Sequence, residues 1–146
     1  RRHRLLETFL SQTLGLGREQ LHEEAEKLEH ALSKNLENAI AEYLGHPTRD
    51  PHGHPIPGPN GELYNETDLP LSDSPMNMVL TVMQVPDNDS NILSWLENNQ
   101  IHPGVQLMII SRDVFDGGLN VTIGNQKIRI SSSIASLVKI SFEDGI

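Results

Sequence analysis

Leu5, Leu6, Phe9, Leu10 and Leu14 recur at the spacing of one helix face, and Gly15 with Gly17 ends that run. Leu21, Ala25, Leu28 and Leu32 form a second apolar stripe and predict a second helix. Ser33 is placed to cap a third, on which Leu36, Ile40, Tyr43 and Leu44 face inward. The stretch HPTRDPHGHPIPGPNGELYNETDLPLSDSP then concentrates prolines and glycines, which predicts a linker or long loop. From Met76 the period changes to two. MVLTVMQV, VQLMIIS, LNVTI, KIRI and LVKISF read as strands, with tight-turn signals at Gly117-Gly118 and Gly124-Asn125. SNILSWLENN reads as one short helix between the first two strands. Short strands at this density predict a small barrel or sandwich. The expected fold class is therefore α+β: a helical domain over 1–46, a Pro/Gly-rich linker over 47–75 and a small all-β domain over 76–146.

Composition narrows the chemistry. The 146 residues are 36% hydrophobic and only 4% aromatic, so the core is modest and aliphatic, a kind that often gains stability from a metal or from oligomerisation. A formal charge of −9 opposes a phosphate-gripping surface, and the single basic cluster, RRHR at 1–4, does not reverse it. Cysteine is absent, which excludes disulfides, thiolate metal sites and thiol catalysis. No apolar run has the length of a membrane span and no signal peptide is visible, so a cytoplasmic protein is expected and the sequons at Asn65 and Asn120 carry little weight. RRHRLLETFL starts at full helical periodicity with no capping residue before it, as a chain cut from something longer would.

The segment HEEAEKLEH (22–30) carries the candidate chemistry. His22, Glu26, Glu29 and His30 stand at i, i+4, i+7 and i+8, one helical stripe a quarter-turn from the leucines. His3 and Glu7 form another i, i+4 pair on the first helix. If the two helices pack side by side, six nitrogen and oxygen ligands converge. The competing reading is a solvated acidic face. Against it, the Glu23/Glu26 and Glu26/Glu29 pairs repel by about 0.2–0.5 kcal/mol each, and Lys27 relieves only part of this. A divalent cation would offset that repulsion.

Enzyme motifs fail on inspection. HEEAE lacks the second histidine of H-E-x-x-H, and EKLEH has Glu26 where the inverted zinc-peptidase motif needs histidine. DNDSN (87–91) begins like a calcium loop but has Ile92 at the glycine position and Asn98 at the bidentate glutamate position. No phosphate loop, dinucleotide fingerprint or nucleophile elbow is present, so the chain is not expected to be an enzyme.

RRHRLLETFL, LGL, LHEEAEKLEH and DPHGHPIP, in that order, resemble consecutive signature segments of the diphtheria-toxin-repressor-like metalloregulators. The final 70 or so residues are similar, by pattern, to that family's SH3-like domain. The resemblance implies a helical dimerisation and metal-sensing domain followed by the SH3-like barrel. Members open with a winged helix-turn-helix, and nothing of that kind precedes Arg1, so it implies a fragment of a metal-activated transcriptional repressor. It places His3, Glu7 and His22 in an ancillary metal site and Glu26, Glu29 and His30 in a primary one, whose further ligands belong to the missing domain. Some relatives lend the ancillary site two ligands from the C-terminal domain. Asp87 and Asp89 are the nearest acids here and are not assigned.

Iron-type members carry a sulfur ligand where Glu26 stands and manganese-type members a carboxylate. The all-N,O set thus favours Mn(II), then Fe(II), with Co(II) or Zn(II) able to bind in vitro. His46, His52 and His54 read as turn-formers in the family's structural loop. The resemblance further implies a homodimer, with the Leu36, Ile40, Tyr43 and Leu44 helix as candidate interface, and contact with operator DNA only through the missing domain. The rival from another class is a helical interaction module whose acidic face holds no ion.

Overall fold

The computed structural model describes residues 1–62 and 68–142, in two units divided after Asn65. The sequon at Asn65 and the part of the expected linker at 63–67 lie outside the described residues, as do 143–146.

In the first unit, α1 (Arg2–Gln12), α2 (Arg18–Glu29) and α3 (Lys34–Tyr43) form where the apolar spacing places them. Gly15, at φ +73°, takes the left-handed conformation that closes α1, with Leu16 N bonded back to Leu10 O at 3.1 Å. Ser33 caps α3 as expected, its hydroxyl accepting from Leu36 N at 3.1 Å. Leu5, Leu6, Leu10, Leu21, Ala25, Leu32, Ile40 and Ala41 make the core. Leu14, Leu28, Leu36 and Tyr43 are exposed instead of buried. Three short helices offer each other one face apiece, and the wider apolar arc on these helices is left largely exposed among the described residues.

The helical unit does not stop at residue 46. Residues 46–58 fold back on it and bury Ile56, Asp50 and His52. Asp50 organises the turn, one carboxylate oxygen accepting from His52 N and His54 N at 2.9 Å each. Gly53, at φ +89°, permits the reversal. Arg4 of α1 donates to the carbonyl of Pro55, and Arg18 Nε of α2 donates to that of Pro51 at 3.1 Å. Proline carbonyls have no local donor in such a loop, and the arginines supply one from the helices.

The second unit is a six-stranded antiparallel sheet of order β1-β6-β2-β3-β4-β5: β1 (Leu69–Pro70), β2 (Leu80–Gln84), β3 (Gln106–Arg112), β4 (Leu119–Ile123), β5 (Gln126–Ile130) and β6 (Lys139–Ser141). Alternation puts Leu80, Val82, Leu107, Ile109, Leu119, Val121, Ile130 and Ile140 into one aliphatic core. Helix α4 (Ser90–Asn98) adds Leu93 and Leu96 to it. Asp89 caps α4, accepting from Asn91 N and Ile92 N, which gives this aspartate of the calcium-like segment a structural role. Two-residue β1 and four-residue α5 (Ser132–Ala135) were not expected. Both are too short to show periodicity, and β1 exists only through pairing with β6.

Candidate metal site

The packing of α1 on α2, driven by Leu5, Leu21 and Ala25, decides which polar side chains meet. His3 and Glu7 lie one turn apart on α1, His3 Nε2 standing 3.0 Å from Glu7 Oε1. His22 reaches across from α2, its Nδ1 3.1 Å from the same His3 nitrogen. Ligand atoms of His3, Glu7 and His22 all lie within 4.8 Å of one another. Glu7 is wholly buried, and neither of its carboxylate oxygens makes a hydrogen bond of good geometry, although imidazole nitrogens stand 3.0 Å from both. A carboxylate removed from water in this way is costly unless a positive charge compensates it. Imidazole nitrogens gathered around a buried carboxylate fit a cation held among them, and the nitrogen and oxygen set suits a divalent transition ion.

The second nitrogen on Glu7 belongs to His52, which was read from the sequence as a turn-former. It forms the turn and also enters the site. Its side chain is fully buried, with Nε2 3.0 Å from the carbonyl of Arg18 and Nδ1 3.0 Å from Glu7 Oε2. A carbonyl only accepts, so Nε2 carries a proton, and the neutral ring then presents the Nδ1 lone pair to a carboxylate. That juxtaposition requires a proton or a metal ion between the two. Burial by itself would lower the His52 pKa, but the Glu7 carboxylate 3.0 Å away, with Asp50 and the Arg18 carbonyl, outweighs it and holds the imidazole above its ordinary value. Asp50, His52 and His54 also offer ligand atoms within 4.8 Å of one another. The sequence signal for this group is the spacing Asp-x-His-x-His, which puts all three on one tight reversal.

Glu26, Glu29 and His30 behave differently. Helix α2 ends at Glu29, leaving His30 at the cap with its side chain 84% exposed. Glu26 is 63% exposed and stands 3.9 Å from His22 Nε2. Glu29 Oε1 lies 3.7 Å from His3 Nδ1 and 4.0 Å from His30 Nε2. Among the described residues, these three do not join a group of three ligand atoms within 4.8 Å. The six sequence-derived ligands therefore do not converge on one point. His3, Glu7 and His22 gather, and Glu26, Glu29 and His30 flank them, with Glu29 linked through His3. The helical stripe drew them as neighbours, but only a second element closes the distance.

Residues 1–58 match the family described as iron dependent repressor, metal binding and dimerisation domain, and residues 69–141 match the FeoA domain. No curated protein matches the chain. Among solved structures, a manganese-dependent transcriptional repressor in complex with manganese is 35% identical, with a TM-score of 0.91 over 98% of this chain and 68% of that one. The manganese-activated repressor ScaR, solved with bound Zn2+, is 31% identical, with a TM-score of 0.88 over 98% of this chain and 71% of that one, and it has also been solved with Cd2+. The IdeR protein of T. acidophilum is 27% identical, with a TM-score of 0.87 over 97% of this chain and 65% of that one. The helical unit followed by the SH3-like β unit thus recurs along nearly the whole chain, and the protein belongs to the diphtheria-toxin-repressor-like family of metal-dependent transcriptional repressors.

Proposed function

We propose that this chain is the metal-sensing and dimerisation part of a manganese-responsive repressor, and that occupancy of its His/Glu site controls the DNA-binding form. The observation that carries the reading is the buried Glu7 carboxylate, approached at 3.0 Å by His3 on one oxygen and by His52 on the other. A bound divalent ion would supply the positive charge this carboxylate lacks and take up the imidazole lone pairs. His3, Glu7 and His22 would hold it, with His52 and Asp50 at their side. Because these groups come from α1, α2 and the 46–58 loop, holding an ion in common ties the three segments together. Glu26, Glu29 and His30 supply part of a second site and need further ligands.

Hard nitrogen and oxygen donors favour Mn(II), then Fe(II), while Co(II) and Zn(II) bind such sets in vitro, Zn(II) with the higher intrinsic affinity. Repressors of the family solved with manganese, zinc and cadmium are in keeping with that range.

The exposed apolar arc supports a homodimer. Phe9, Leu14, Leu28, Leu36 and Tyr43 line a cleft of about 660 Å³ across the helices, and the matched domain is described as a dimerisation domain. A second copy placed there buries side chains that water now meets, Tyr43 being 70% exposed.

Calorimetric titration with Mn(II), beside sedimentation of the metal-free and metal-loaded chain, tests this. Near-stoichiometric binding that is lost in Glu7→Gln, together with a dimer, supports the sensor. Absence of binding at millimolar Mn(II), Fe(II) and Zn(II) refutes it. The interaction-module alternative draws on the exposure of Glu26 and His30, and it predicts a dimer whose dissociation constant ignores metal.

A further inference from the structure

Arg1, Arg2 and His3 are consecutive residues at one end of α1. The usefulness of His3 as a ligand depends on a fixed ring: Nε2 faces Glu7 and His22 while Nδ1 lies 3.7 Å from Glu29.

An acid from another helix holds this end of α1. Glu37 of α3 is buried, its side chain only 3% exposed, and it accepts from Arg1 Nη1 at 2.6 Å and from Arg2 Nε at 2.8 Å. Lys34 adds a third cation at 3.8 Å. Burial would raise the Glu37 pKa, but the hydrogen bonds from Arg2 and Arg1 and the charge of Lys34 outweigh it and hold the carboxyl below its ordinary value. These bonds span 35 and 36 residues, so they tie the Arg1–Arg2 end of α1 to α3. No other role so far described uses Glu37.

We propose that Glu37 is a positioning residue for the metal site, clasping Arg1 and Arg2 so that the next residue, His3, is held toward Glu7 and His22. The proposal rests on the metal-sensing reading above. It makes a prediction opposite to that of simple electrostatics. Arg1 and Arg2 are positive charges beside a cation site, so their removal should favour metal if charge alone matters. If the clasp matters, their removal weakens metal binding.

The test is a Co(II) titration of the full chain, read by calorimetry and by Co(II) absorption, for Arg1→Gln/Arg2→Gln and for Glu37→Gln, each in the native and the His3→Ala background. Far-UV circular dichroism and thermal midpoints report folding in parallel. Each disruption is expected to lower affinity about tenfold in the native background and to move the absorption bands toward those of His3→Ala. In the His3→Ala background the same disruption should change affinity less than about twofold. Unchanged or tighter binding in the native background overturns the proposal, and so does an equal loss in both backgrounds, which marks a merely structural role. If one variant does not fold, the other decides. A native chain that binds neither Co(II) nor Mn(II) refutes the sensing reading and this proposal with it, whereas native binding that the clasp variants share refutes the clasp alone.

Discussion

His3, Glu7 and His22 come from two helices and meet, whereas Glu26, Glu29 and His30 come from the end of one helix and stay apart. By spacing alone, His22, Glu26, Glu29 and His30 form one stripe and His3 with Glu7 a separate pair. On one helix, neighbours at i and i+4 are spaced by the backbone at about 5–6 Å between Cβ atoms, and exposed side chains are free to turn toward water. Where α1 packs on α2 over Leu5, Leu21 and Ala25, the polar groups at the seam lose that freedom, and Glu7 loses its water altogether. Convergence thus follows from burial, and burial follows from the apolar face beside the ligands.

The comparison can be broken most directly at Glu7. Glu7→Gln keeps the shape and removes the charge, and it should weaken Mn(II) binding more than about 100-fold, read by the loss of the free-ion electron spin resonance signal on titration. His52→Gln comes next, at about 10–100-fold by calorimetry, because His52 bears on Glu7 directly. A wild-type affinity in His52→Gln would remove the 46–58 loop from the site. Glu26→Ala and Glu29→Ala should each cost at most about fivefold in this chain, since Glu26 is exposed, Glu29 half-buried and neither converges with the other ligands, and such charges contribute about 0–1 kcal/mol. A larger loss would show that the two sets work as one.

The smallest expected effect is on the pH dependence of the metal-free chain, followed by urea midpoints. His52 is held above its ordinary value of about 6.5, so its pairing with Glu7 stabilises fully below that pH and is lost as pH rises through the raised pKa. Glu37 is held below its ordinary carboxylate value, so its contribution is present above about pH 4.3 and is lost as pH falls through the lowered pKa. His52→Gln should flatten the alkaline limb alone and Glu37→Gln the acid limb alone.

Much of this molecule is legible in its sequence. Ser33 as a cap, Gly15 as a stop, the change of period near Met76 and the short helix at 90–98 all follow from local rules, because caps, turns and amphipathic faces are decided within a few residues. The pairing of His3 with Glu7, four residues apart, belongs to the same class. Leu28, Leu36 and Tyr43 show the limit of such rules. Periodicity marks an apolar face but does not say whether it meets the same chain or another.

His52 and Glu37 lay beyond local reading. One sits in a Pro/Gly loop that composition marks as a linker, the other on a helix face among ordinary polar residues. Each acquires its role from a partner 35 or more residues away, Glu7 for His52, and Arg1 and Arg2 for Glu37. Residue type and spacing by themselves determined the longer elements, the candidate ligands and the absence of cysteine-based alternatives. Which ligands are buried together, and what holds them, was decided by the tertiary packing, because desolvation and charge pairing act between segments brought together only when the chain has folded.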